Sequence, residues 1–182
     1  MRSSILSELP TFDSDTGDLH TIIEAPGGSR NKFKYDPRMN VVKFDKTLPA
    51  GLVFPREFGF IPSTLGEDGD PLDVLLFVDG PMYPGILAPA RLLGVIQAEQ
   101  TEKGETKRND RIIAVAIKCQ EYKNVKALAD LDPDLLRQIE QFFATYNREE
   151  GKEFKPIGRA DAAQAKELIE QGQKLFAGRK KR

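Results

Sequence analysis

Three carboxylates fall within six residues at Asp68-Gly69-Asp70-Pro71-Leu72-Asp73, and the segment runs into Val74-Leu75-Leu76-Phe77-Val78. Gly69 and Pro71 are turn formers, and the apolar run reads as a buried strand. A turn anchored on a strand can make its acids converge. Converging carboxylates repel one another until a cation neutralises them, and hard divalent ions such as Mg²⁺ take oxygen ligands. The spacing therefore points to a metal site of the phosphate-handling kind. The plainer alternative is a solvated acidic turn, since Asp, Gly and Pro are ordinary turn residues. A calcium loop of the EF-hand type fits poorly. Leu72 holds its fifth position, Asp73 stands where that loop needs glycine, and a strand follows.

Other charges line up with this turn. Glu24 precedes Pro26-Gly27-Gly28, and Lys32 and Lys34 alternate around Phe33, so on a strand they share a face. Lys46 follows Asp45 after the run Val41–Phe44. Arg111 opens the run Ile112-Ile113-Ala114-Val115, preceded by Asn109-Asp110. Each alone reads as a surface charge. Together they offer acids for metals and cations for phosphate oxygens, which phosphoryl transfer requires. No Walker loop, serine nucleophile elbow or zinc-helix motif is present. Direct attack by metal-activated water is the chemistry that remains.

These residues need a scaffold. At 182 residues, 40% hydrophobic and 30% charged, the chain reads as one soluble globular domain over 1–182, with an N-terminal arm at 1–18 and a basic tail at 178–182. A net charge of −1 gives no global attraction to nucleic acid or an anionic membrane. No apolar run approaches the roughly 20 residues that span a bilayer. Met1-Arg2-Ser3-Ser4 leads into no secretory signal, so a cytoplasmic location is expected. Cys119 has no partner for an intramolecular disulfide and reads as a small buried residue in or just beyond the strand Ile112–Lys118. His20, the one histidine, rules out any site needing two histidines and reads as a surface residue.

Short β-like runs occupy Leu19–Ala25, Asn31–Tyr35, Asn40–Phe44, Val74–Phe77, Arg91–Glu99 and Asp110–Lys118, with Gly and Pro between them. That pattern argues for a barrel or sandwich. The C-terminal third changes period. Asp132-Pro133 is a helix start, with Asp as cap and Pro in the first turn. Leu135, Leu136, Ile139, Phe142, Phe143 and Tyr146 then recur at helical spacing towards Gly151. A second helix is expected from about Ala160 to Phe176, with Ala165, Leu168 and Ile169 inward.

From Ile22 to Phe176 the chain resembles the soluble family I inorganic pyrophosphatases. The resemblance rests on Asp-Gly-Asp-Pro-Leu-Asp-Val at 68–74. It is reinforced by Ile23-Glu24-Ala25-Pro26, Ser29-Arg30-Asn31-Lys32-Phe33, Phe54-Pro55 with Phe58-Gly59-Phe60-Ile61, Leu93-Gly94-Val95 and Ile112-Ile113-Ala114-Val115. It implies a mixed, β-barrel-centred fold: a five-stranded OB-like barrel with flanking C-terminal α-helices. It also implies a homo-oligomer, a hexamer in bacterial members, and Mg²⁺-dependent hydrolysis of inorganic pyrophosphate, with Mn²⁺ and Zn²⁺ as alternative ions. Carried over by position, Asp68, Asp73 and Glu24 would bind metals, and Asp70 would bind metal and act as base for the attacking water. Lys32, Lys46 and Arg111 would neutralise phosphate oxygens, and Tyr146 would hydrogen-bond the phosphate.

The chain departs from the family pattern around this site. Lys34 stands where an acid or polar acceptor is usual. Lys46 replaces Arg and exchanges a fork for a point charge. Phe54 and Phe58 replace tyrosines, and Arg111 replaces Lys. Thr101-Glu102 aligns with an Asp-Glu pair and Asn109 with a later Asp, for which Asp110 is the alternative metal ligand if a bulge shifts the strand. Asn147 replaces Lys after Tyr146. These changes imply hydrolysis that is slowed or altered in substrate. The alternative is a non-catalytic phosphoanion-binding or assembly paralogue. An OB-like nucleic-acid binder ranks third, disfavoured by the near-neutral charge and the absence of tryptophan.

Overall fold

The computed structural model describes residues 5–179. Nine strands are present: β1 (Leu19–Ala25), β2 (Asn31–Asp36), β3 (Val41–Thr47), β4 (Glu57–Phe60), β5 (Asp73–Phe77), β6 (Leu87–Glu102), β7 (Glu105–Arg108), β8 (Arg111–Ala116) and β9 (Glu153–Asp161). Two helices follow the same order, α1 (Pro133–Glu149) and α2 (Ala162–Arg179).

The pairing order β1-β4-β5-β8-β6 closes on itself, because β1 also pairs with β6. This ring of five strands is the element expected as an OB-like barrel, and it holds the core. β8 lies between β5 and β6, so both of its edges are taken and all six residues are buried. That is why Ile112-Ile113-Ala114-Val115 is apolar without alternation. The long β6 outlasts the ring, and its far half pairs with β7 and β9.

β2 and β3 form a separate two-stranded sheet above the ring. Its register skips one residue: Lys32 lies opposite Lys46 but Phe33 lies opposite Phe44. Asp45 is the bulged residue, and it resets the alternation of β3 so that Lys46 joins Lys32 on one face.

α1 begins as its sequence dictates. The Asp132 side chain caps the Asp134 N–H at 2.8 Å, and Pro133 occupies the first turn. Leu136, Ile139, Phe142, Phe143 and Tyr146 form its buried stripe. α2 packs on β6 through Ala165 and Ile169. Gly172 lets it come close to the Asp68–Asp73 turn: a Cβ there would lie 2.9 Å from Leu72 Cδ1 and 3.3 Å from Thr64 Cβ.

Several boundaries differ from the sequence reading. β4 sits between Pro55 and Pro62, which read as pure punctuation, and β7 was also unforeseen. Ala160 and Asp161 end β9 rather than start α2. β9 carries Pro156 and Gly158, but it pairs only with β6 and has a register shift at Gln97/Ala98, where a missing N–H is tolerated. Of the expected arm, residues 1–4 lie outside the described residues and 5–18 are held to the domain: Thr11 Oγ1 donates to the Pro62 carbonyl at 2.9 Å and the Ser63 N–H to the Ser7 carbonyl at 2.9 Å. His20 is largely covered, with Nδ1 2.7 Å from the Pro10 carbonyl and Nε2 3.8 Å from Asp13, because the segment before β1 folds over it. Cys119 is buried just beyond β8 and donates to Asp79 Oδ1 at 2.8 Å. Of the basic tail, Gly178 and Arg179 belong to α2, and Lys180, Lys181 and Arg182 lie outside the described residues.

Candidate active site

A cleft of about 760 Å³ opens between the ring, the β2–β3 sheet and α1. Glu24, Lys32, Lys34, Lys46, Asp68, Asp70, Asp73, Arg111 and Tyr146 all line it. Residues 122 positions apart are thus brought to one surface, from Glu24 to Tyr146.

The acid wall is built by the turn and by two strand ends. Gly69 adopts φ 90°, which lets the turn fold back so that the Gly66 N–H reaches the Asp70 carbonyl at 2.8 Å. Asp68 Oδ1 accepts the Asp70 N–H at 3.1 Å. Thr64, fully buried, accepts the Leu72 N–H at 3.0 Å and fixes the exit of the turn. β5 and β8 run parallel with Val74 level with Ile112, so their preceding residues meet. Asp73 Oδ2 and Arg111 Nη1 lie 2.8 Å apart. The Arg111 guanidinium is buried against Phe143 and Phe154, 4.7 and 5.0 Å from the ring centroids.

The acids carry a surplus of negative charge. Burial pushes the Glu24 carboxyl up to about 7, and Asp73 adds to the rise while the Tyr35 N–H, donated at 2.6 Å, opposes it. Burial also raises Asp68 and Asp73 above the ordinary carboxylate range; Arg111 pulls back on both. Asp70 is 2.9 Å from Lys34 Nζ. The turn does not gather its acids into a ready cage: among the described residues no three acids, histidines or cysteines stand close enough to hold an ion. Asp70 has turned to Lys34 and Asp73 to Arg111, which relieves the mutual repulsion. The donor set is nonetheless all oxygen and over-supplied with charge, which suits a hard divalent ion.

The opposite wall is cationic and aromatic. Lys32 and Lys46 both stand over the Tyr146 ring, at 5.7 and 5.5 Å from its centroid. Lys32 Nζ donates to the Tyr146 hydroxyl at 3.4 Å and lies 3.9 Å from Asp45; Lys46 pairs with Glu150. Phe54 and Phe58 stack at 5.4 Å, and Phe54 also packs on Phe142 and Tyr146. The two positions keep ring packing and present no hydroxyl. The Asn147 amide donates to the Phe143 carbonyl at 2.8 Å within α1.

Two alignments of the sequence reading are corrected. Asp110 does not line this cleft. Strand alternation turns Asn109 and Arg111 towards it and Asp110 away. Asp110 accepts the Ala98 N–H at 2.9 Å and pairs with Arg108 at 2.8 Å. Thr101 and Glu102 also point elsewhere, to Thr106 and Lys152. Gln100 is the residue of β6 that reaches the cleft, where its side-chain Oε1 accepts from the Asn109 side-chain amide at 2.9 Å. The alternation of β6 was the signal that could have found it.

A family model described as inorganic pyrophosphatase matches residues 21–177. The inorganic pyrophosphatase of Thermus thermophilus is 37% identical over 150 residues, 82% of this chain and 83% of that one. The Nostoc inorganic pyrophosphatase is 35% identical over 94% of this chain and 98% of its own. Crystal structures of inorganic pyrophosphatases from T. thermophilus and Neisseria gonorrhoeae superpose with TM-scores of 0.86 and 0.85, at 34% and 31% identity, each covering 96% of this chain and 99% of the other. With motif, ring and relatives in agreement, the chain belongs to the inorganic pyrophosphatase family.

Proposed function

We propose that the chain hydrolyses inorganic pyrophosphate to two phosphates in this cleft, with Mg²⁺ as the working ion. The observation that carries the reading is the facing of acids and cations across one cleft, on a scaffold shared with pyrophosphatases. Asp68, Asp73 and Glu24 would hold the metal. A divalent ion there supplies a lowered pKa for water and charge neutralisation on the phosphate. Asp70 accepts the proton of the attacking water as its oxygen bonds to one phosphorus and the bridging P–O bond breaks. Lys32 and Lys46 hold the phosphate oxygens, released for that work from Asp45 and Glu150. Arg111, held between two rings, counters charge on the transferring group. The Tyr146 hydroxyl donates to the phosphate on the departing side. A cytoplasmic, homohexameric protein completes the proposal. A relative from Zea mays, 34% identical over 88% of this chain, is named a soluble inorganic pyrophosphatase.

Phosphate release from pyrophosphate with Mg²⁺, Mn²⁺ or Zn²⁺ tests the reading, beside Asp70→Asn and a panel of nucleotides and polyphosphates. Metal-dependent release that Asp70→Asn abolishes supports it. A second reading, phosphoanion binding without turnover, is favoured by the amides of Gln100 and Asn109 standing on the wall beside Arg111. Tight pyrophosphate binding with no release in any metal would establish it.

A further inference from the structure

Lys34 sits at an unexpected place for a cation, in contact with the acid proposed as base. Its Nζ lies 2.9 Å from Asp70 Oδ2, and both side chains are about half exposed, at 52% and 57%. Four carboxylates face the acid side of the cleft: Glu24, Asp68, Asp70 and Asp73. Two of them touch a cation, Asp70 through Lys34 and Asp73 through Arg111. The lysines of the other wall are matched by Asp45 and Glu150. Among the described residues Glu24 and Asp68 are in no ion pair, which leaves these two carboxylates for a single divalent ion. The end of β6 and the start of β8 add none, because Gln100 and Asn109 are neutral and Asp110 is committed to Arg108.

We propose that Lys34 is a built-in counter-ion that takes the place of one divalent ion at Asp70, so that the substrate-free cleft binds a single metal ion tightly. An exposed ion pair contributes little to stability. What matters is the position of the charge. An ammonium 2.9 Å from Asp70 Oδ2 would repel a dication brought to that acid by Coulomb's law, whatever the strength of its own bond to Asp70. Lys34 thereby sets how many ions the cleft holds and how much metal the protein needs. The inference rests on the pyrophosphatase reading for its meaning in the reaction, while its test does not read hydrolysis.

The test is calorimetric titration of the substrate-free protein with Mn²⁺, for wild type, Lys34→Gln, Lys34→Glu and Lys34→Arg. Wild type and Lys34→Arg are expected to take up one tight Mn²⁺ per chain. Lys34→Gln is expected to bind a second ion at least about tenfold more tightly than wild type does. Lys34→Glu is expected to reach two tight ions per chain. Wild-type number and affinity in both Lys34→Gln and Lys34→Glu would overturn the proposal, and so would Lys34→Arg behaving like Lys34→Gln. A wild type that never releases phosphate, but shows the expected Mn²⁺ series, would remove the proposed reaction and leave this inference standing. An active wild type with an unchanged series would do the reverse.

Discussion

The two walls of the cleft solve the same problem in opposite ways. On the acid wall, burial pushes Glu24 up to about 7, so part of its charge is held back until a cation arrives, and Asp68 and Asp73 are raised in the same direction. On the cationic wall, Lys32 and Lys46 each rest on an acid and on the face of Tyr146. One wall waits with Glu24 partly protonated, the other by borrowing partners from its own chain. The difference follows from the supports. Glu24 stands on a strand buried against the ring core, Asp73 at a half-buried strand end and Asp68 on an exposed turn. The lysines stand on a two-stranded sheet that is mostly open to solvent. A substrate carrying metal on one side and phosphate oxygens on the other replaces both sets of provisional partners at once.

The largest effect should come from removing the one acid that the mechanism uses chemically. Asp70→Asn is expected to cut phosphate release by about 10²–10⁴ with folding retained. Activity within tenfold of wild type would show that the acid wall only holds metal. Arg111→Ala attacks the one strong link inside that wall. It should slow release by about 10²–10³. It should also cost about 3 kcal/mol in urea unfolding, since Asp73 loses its partner and the space the guanidinium fills between Phe143 and Phe154 is left empty. Arg111→Lys should recover most of the stability.

The sequence showed the acid wall more clearly than the rest, and the reason is locality. Asp68, Asp70 and Asp73 share one turn, so their common placement needs no long-range pairing. Lys32 and Lys34 were legible for the same reason, through the alternation of a single strand. Gln100 and Asp110 were not, because their facing depends on how β6 and β8 register across a loop that holds a whole extra strand. β9 was hidden by Pro156 and Gly158, whose breaking tendency is overridden by its pairing with the long β6. The convergence of the acids into a cage was over-read: spacing shows which side chains share a surface, and the counter-ions decide how close they come.

A smaller effect sharpens the contrast in protonation. As pH rises from 4.5 to about 7, the unfolded chain gives up the Glu24 proton before the folded one does. Metal-free stability should therefore fall across that window, by up to about 3 kcal/mol. Asp68 and Asp73, also raised, act in the same direction. Glu24→Gln should flatten the slope, and saturating Mg²⁺ should reduce it in wild type. Urea unfolding at several pH values reads both, and a slope unchanged in Glu24→Gln would mean that Glu24 is not held back. The smallest effect is on the other wall. Tyr146→Phe keeps the ring under both lysines and removes only the hydroxyl, so a loss of about tenfold or less in kcat/KM is expected. A loss as large as that of Asp70→Asn would make the hydroxyl, not the ring, the chief contribution of α1.

The unpaired Asp45 gives the hairpin a parity. A regular ladder through the same residues would set Asp45 opposite Lys32 and swing Lys46 to the outside, away from Glu150 and Tyr146. No substitution at position 46 could return the charge, because the fault would lie in counting and not in chemistry. Register along this short hairpin is therefore under the same constraint as the identity of any charged residue it carries.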